Sequence, residues 1–137
     1  MEHTGQDVHE CSADECWELL ESGAFGRLAF SVDNRPEIVP INYVTADRRI
    51  YFRTAEGSKL FGLTVNRHIA FEIDDVREDS AVSVLVQGTA RHLTSEKDVA
   101  FAESLPLRPW VPTDKPEFVE IEIDEVSGRR YRIDPPQ

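Results

Sequence analysis

No apolar run in this chain approaches the 18 or so residues that a membrane-spanning helix requires. Cysteine is almost missing as well. Cys11 and Cys16 are the two present, a usage that suits a reducing cytoplasm and excludes a disulfide scaffold. Cations are scarce: 15 Lys and Arg stand against 26 Asp and Glu, a formal charge of −11. That balance argues against a general nucleic-acid binder and against an anionic membrane surface, since both need clustered Lys and Arg. There is no Gly-x-Ser-x-Gly elbow, no P-loop and no dinucleotide-binding glycine fingerprint. The four histidines, His3, His9, His68 and His92, have no His-x-x-x-His spacing of the kind that holds a metal. The first residues, Met1 to Asp7, lack the basic and apolar regions of a secretory signal, so a cytoplasmic protein is expected.

What is present fits one globular domain. The 137 residues suffice for a single ordinary core. Residues 1–10 are polar and read as a disordered tail, leaving 11–137 as the domain. Ser12, with Glu15 three residues on, forms a capping box for a helix whose apolar face is Cys16, Trp17, Leu19 and Leu20 and which Gly23 can stop. Short apolar runs then alternate with turn signals: Ala24–Val32, a turn at Asp33-Asn34-Arg35-Pro36, Glu37–Thr45, a turn at Ala46-Asp47-Arg48, and Arg49–Thr54. Ala55–Asn66 breaks the rhythm and can hold a short helix. His68–Asp75 and Ala81–Leu93 read as strands, the second with Val82, Val84 and Val86 on one face. A helix capped by Thr94 or Ser95 follows, then a proline-containing loop from Pro106 to Pro116. Glu117–Val126, a turn at Ser127-Gly128 and a last strand Arg129–Ile133 complete the chain. The expected class is mainly β with short helices at the margins (α+β). Six to seven antiparallel strands should form a barrel rather than an open sandwich, because closure removes exposed edges.

The densest chemical signal is Tyr51-Phe52-Arg53-Thr54-Ala55-Glu56-Gly57-Ser58-Lys59-Leu60. A strand delivers Arg53 and Thr54 to its end, Gly57 permits a tight turn and close backbone approach, and Ser58 and Lys59 open the next helix. A guanidinium, an ammonium, two hydroxyls and free backbone N–H groups converge, which is the donor set for a phosphate monoester. On spacing alone, a solvated strand-to-helix turn is the competing reading.

Set in its strand order, this segment resembles that of the pyridoxamine 5′-phosphate oxidase-like FMN-binding split barrels. Val39-Pro40-Ile41-Asn42-Tyr43-Val44, then Ile50-Tyr51-Phe52-Arg53-Thr54 and Gly57-Ser58-Lys59-Leu60, are similar to the small bacterial branch with nitroimidazole-resistance-type proteins. Ser83-Val84-Leu85-Val86-Gln87-Gly88-Thr89-Ala90 and Leu107-Arg108-Pro109-Trp110 match too, so the resemblance runs from about Cys16 to Arg132. It implies a homodimer with FMN at the subunit interface. It implies that Arg53, Ser58 and Lys59 contact the phosphate, with Thr54 and Gly57 nearby. It also implies that the strand Val39, Pro40, Ile41 and Asn42 lies along the isoalloxazine edge. Ser83 falls where larger oxidases carry a glutamine facing the flavin. The chain departs from the branch at Val82, where relatives often have tryptophan, and at Gln87, which replaces a common arginine. It also lacks the basic residues by which pyridoxamine-phosphate oxidases hold their substrate's phosphate, so vitamin B6 is not the expected substrate.

Trp110, between prolines, reads either as a packed residue or as an aromatic wall over the flavin. Glu72 and Asp74 alternate on one strand and read as outward residues. Cys11 and Cys16, five apart at a helix start, read as lying on different faces with no metal or redox role. The functional expectation is an FMN-dependent oxidoreductase acting on a small molecule, since the flavin carries the electrons and no protein acid or base stands out. Two alternatives stay open: a flavin-storing module without turnover, and a split barrel holding a deazaflavin or haem, although no residue stands out as an axial haem ligand beyond the bare presence of His68 and His92.

Overall fold

A computed structural model of the chain describes residues 8–55, 67–107 and 116–133. Eight strands and two helices occupy them: β1 (Val8–Glu10), α1 (Ala13–Ser22), β2 (Phe25–Val32), β3 (Arg35–Asn42), β4 (Val44–Ala46), β5 (Arg49–Ala55), β6 (His68–Val76), β7 (Ser80–Leu93), α2 (Glu96–Glu103) and β8 (Pro116–Arg132). All ladders are antiparallel, and the strand order is β3-β2-β6-β7-β8-β5-β4, with β1 added to β8. The expected class holds, with eight strands in place of six or seven.

Local chemistry accounts for the elements. Ser12 and Glu15 exchange both hydrogen bonds of the capping box, and Gly23 is the C-cap. The two tight hairpins turn at Asp33-Asn34 and Asp47-Arg48, all four residues having positive φ, which is the mirror-image two-residue turn whose twist matches the strands. Arg48 is an unusual residue for that conformation. It reaches α1, bonding Asp14 at 2.7 Å and lying over the Trp17 ring.

Two expectations change. Residues 8–10, expected in a disordered tail, form a strand instead, because Val8–Glu10 pairs with Arg129, Arg130 and Tyr131 of β8. The turn at Ser127-Gly128 does not occur: β8 runs unbroken through it, opposite Leu85 and Val84 of β7. Gly128 is small for packing reasons, since a Cβ there would sit 2.8 Å from the Cys16 sulfur.

The core fills the inside of the curled sheet. Leu28, Phe30, Ile50, Phe71, Val84, Val86, Val119 and Ile121 interdigitate, and α1 plugs one end with Cys16, Trp17 and Leu20. Each fully buried Leu or Phe contributes about 1.5–3 kcal/mol relative to exposure. A second cluster lies outside, where Tyr51, Leu93 and Phe118 pack against Ala102 of α2 and Leu107.

The ends of the strand order, β3 and β4, are consecutive in the chain and joined by Tyr43 alone. The sheet therefore curls until its two edges meet at that residue, forming a split barrel. Tyr43 is 2% exposed, packs edge-on against Phe71 and donates its hydroxyl hydrogen to the Leu20 carbonyl at 2.7 Å. Gly23 leaves the room: a Cβ there would lie 2.4 Å from the Tyr43 oxygen. Tyr43→Phe is expected to lower the unfolding free energy by about 1 kcal/mol. The cost is no larger because Leu20 also accepts from the Gly23 N–H. Denaturant unfolding checks this, and an unchanged midpoint would show that the hydroxyl is not a clamp.

Candidate functional site

One side of the split is the outer edge of β3. Tyr43 N–H donates to the Ala24 carbonyl, and that pairing extends the β2–β3 register by one position. Alternation along an antiparallel ladder then turns Val39 and Ile41 toward β2 and turns Pro36, Ile38, Pro40 and Asn42 toward the open edge. Both prolines fall on the edge-facing parity, where no donor is needed. The edge thus presents the N–H groups of Ile38 and Asn42 among the carbonyls of Ile38, Pro40 and Asn42, a mixed donor–acceptor row. The side chains of Val39 and Ile41 point inward and pack with the core, so of the four residues expected here only Pro40 and Asn42 turn their side chains outward.

The other side is β5. The β4–β5 ladder pairs Val44 with Tyr51. Continuing that register past Tyr43 sets Asn42 level with Arg53 and Ile41 level with Thr54, and β3 and β5 have Cα atoms within 8 Å of one another. Burial agrees with the parity: Ile50 and Phe52 face the core, whereas Tyr51 belongs to the outer cluster, so Arg53 lies on the outer face with Asn42. The register therefore sets Asn42 level with Arg53 on the outer face, with Pro40 on the same face of β3, whereas Thr54 falls on the inward parity next to Arg53. A flat ligand with a donor–acceptor edge and an anionic tail fits that arrangement.

The family described as pyridoxamine 5′-phosphate oxidase matches residues 12–130. The chain belongs to this family. The FAD-binding protein of Mycobacterium smegmatis is 41% identical, the match covering 92% of this chain and 100% of that one, with a TM-score of 0.80. A Corynebacterium glutamicum protein given the same family name is 36% identical over 92% of this chain and 99% of its own, with a TM-score of 0.85. The uncharacterised Mycobacterium tuberculosis protein Rv0080 is 32% identical over 96% of this chain and 90% of its own.

Other residues expected in this family's site lie elsewhere or outside the described residues. Gly57, Ser58, Lys59 and Trp110 fall within 56–66 and 108–115, which are not described. Ser83 sits on β7 between Asp74 and Arg129, three strands from β3, or about 14 Å along the sheet at ~4.8 Å per strand. Within one chain it is brought to neither side of the split. Glu72 and Asp74 are outward on β6, where both meet Arg27 at 3.2 Å. Burial and the neighbouring Asp74 raise the Glu72 carboxyl. Two cavities among the described residues, of about 330 and 220 Å³, lie between α1 and the β6–β7 hairpin and include none of the residues expected to bind the cofactor.

Two features were not found by sequence reasoning. His92 on β7 pairs with Glu117 of β8 at 2.8 Å, and Glu117 is also the ladder partner of Thr54. Strand parity alone hinted at it, once the register was known. Beside Arg53 on the outer face, Tyr51 donates to Glu120 at 2.8 Å, and Arg91 holds the same carboxylate at 3.2 Å. Glu120 is only 8% exposed, and this network fixes β5 to β8 and β7 next to the split.

Burial first, then the Glu120 carboxylate, pushes the Tyr51 hydroxyl up to about 12, and burial pushes Tyr43 equally far. Both raised values favour the neutral phenol of the folded state. Their stabilisation is complete below pH 10, the unfolded value, and is lost as pH climbs from 10 to 12. Alkaline titration of the folded protein should show two phenols ionising only near pH 12, with unfolding stability declining across that window. Early ionisation of both would contradict the burial described.

Proposed function

We propose that this chain is a flavin-binding protein whose cofactor lies across the split. The observation that carries the reading is the open β3 edge standing level with Arg53. The pyrimidine edge of an isoalloxazine alternates carbonyl acceptors with an N–H donor, which complements the backbone row at Ile38, Pro40 and Asn42. Arg53 and Thr54, followed in sequence by Gly57, Ser58 and Lys59, supply the donors for the ribityl-side phosphate. The residues therefore fit a flavin mononucleotide group, as free FMN or as the mononucleotide half of FAD, the cofactor for which the Mycobacterium smegmatis relative is named.

The reaction class follows from the cofactor. A bound flavin supplies one- and two-electron transfer, and the protein's work is then to bind, orient and shield it. Arg53 neutralises the phosphate, the β3 edge fixes the ring plane, and the Tyr51–Glu120–Arg91 network holds β5 still. We read the protein as a flavin-dependent oxidoreductase acting on a small molecule in the cytoplasm. It would work as a homodimer, with the flavin covered by a second copy. In support, the outer sheet face carries Ile38 at 68% exposure beside the small Ala29 and Ala70, with the half-exposed Phe25 and Leu85 flanking the ion pairs of Arg27 with Glu72 and Asp74. Exposed apolar side chains around matched charges, beside the split, suit a self-complementary interface.

Purified protein should show flavin absorbance or acquire it on adding FMN or FAD, and chromatography of the released cofactor should tell the two apart. Combining Arg53→Ala with Lys59→Ala removes two charged hydrogen bonds, each contributing about 1.5–3 kcal/mol, so affinity should fall at least a hundredfold. Rapid reduction of the bound flavin by NADH or NADPH would support turnover, and its absence a storage role. A colourless protein that takes up neither nucleotide would overturn the reading.

A further inference from the structure

The N-terminus of α1 brings the two cysteines together. Ser12 is the N-cap, so Cys11 occupies the position before the cap and Cys16 the fourth helical position. Those two places face each other in a capped helix, and the pair there usually forms a hydrophobic staple. Here the pair is thiol against thiol. Cys11 is further held by its N–H, which donates to the Gly128 carbonyl at 2.9 Å. Both side chains close on the space above Gly128: a Cβ at that residue would meet the Cys16 sulfur at 2.8 Å and the Cys11 Cβ at 3.3 Å. The expectation that they sit on different faces fails because Cys11 precedes the helix and does not follow its 100° periodicity.

We propose that Cys11 and Cys16 are a redox modification site, closing reversibly into a disulfide across the start of α1. Both are free thiols in the structure, Cys16 fully buried and Cys11 half-buried. Accessibility sets the order of events. The Cys11 thiolate attacks one sulfur of a low-molecular-weight disulfide, expelling its first thiol and forming a mixed disulfide. The Cys16 thiolate then attacks the Cys11 sulfur and expels the second thiol. Two electrons pass to the oxidant, and the two protons released by the cysteines are taken up by the departing thiolates. Burial raises both thiols, and a charge on Cys11 further raises Cys16, while Arg130 acts on Cys11 in the opposite direction. Cys11, the more accessible of the two, is the better first nucleophile. The bond would tie the β1 end of the chain to the helix whose Leu20 carbonyl holds Tyr43. This site stands apart from the split and does not depend on the flavin reading.

The test uses the full chain and glutathione disulfide as the probe. Tryptic cleavage leaves both cysteines in the peptide Met1–Arg27, which has no internal Lys or Arg. After oxidation that peptide should weigh two hydrogens less, take up no iodoacetamide, and recover two alkylation sites on reduction by dithiothreitol. The thermal midpoint should rise on oxidation and return on reduction. In Cys11→Ser, Cys16 should resist modification in the folded protein. A stable glutathione adduct on Cys11 with Cys16 still open to alkylation after unfolding, a link between two chains, or no change in mass would overturn the proposal. So would glutathione on Cys16 in the folded Cys11→Ser variant.

Discussion

Everything about the split depends on one residue spanning it. The chain leaves β3 at Asn42 and enters β4 at Val44, so the two edge strands of the sheet are tied together by Tyr43. The ring is locked against Phe71 and the hydroxyl bonds the Leu20 carbonyl, which fixes the crossing point to α1. Two edges held this close would ordinarily zip into a ladder. Here Pro36 and Pro40 remove donors from β3 on the side that faces the gap, and a strand lacking alternate donors cannot complete that ladder. The result is a barrel closed covalently at one point, with no ladder between β3 and β4 or β5 among the described residues.

That geometry is what the proposed site rests on. An open strand edge needs a partner for its backbone groups, and a planar heterocycle with a polar edge is one such partner. Placing Arg53 level with Asn42 adds the positive charge that an anionic ligand needs in a protein of net charge −11. The buried Glu120, held by Tyr51 and Arg91, stiffens the strand that carries Arg53 without placing its own carboxylate at the gap.

Features governed by neighbours in sequence were legible before the fold was known. The capping box at Ser12 and Glu15, the Asp33-Asn34 and Asp47-Arg48 turns and the Gly23 stop all follow from a few adjacent residues. Features governed by distant packing were misread. Gly128 looked like a turn because nothing local reveals that the Cys16 sulfur occupies its side-chain space. Val8–Glu10 looked like a tail because its partner lies at the far end of the chain. The residues of the proposed site divide by the same rule. Arg53 and Thr54 announce themselves at a strand end, and the Pro40–Asn42 strand is carried by family resemblance. Which of its groups face the gap depends on parity against β2, and the His92–Glu117 pair depends on the β7–β8 register.

The central claim is that the open edge of β3 receives the ligand. Residue-resolved amide hydrogen exchange, with and without saturating FMN or FAD, tests it directly. The N–H groups of Ile38 and Asn42 should become strongly protected on loading, while those of the β6–β7 hairpin, beside the α1 cavities, should change little. Protection confined to the hairpin, or none at Ile38 and Asn42 in a protein that demonstrably holds flavin, would contradict the account.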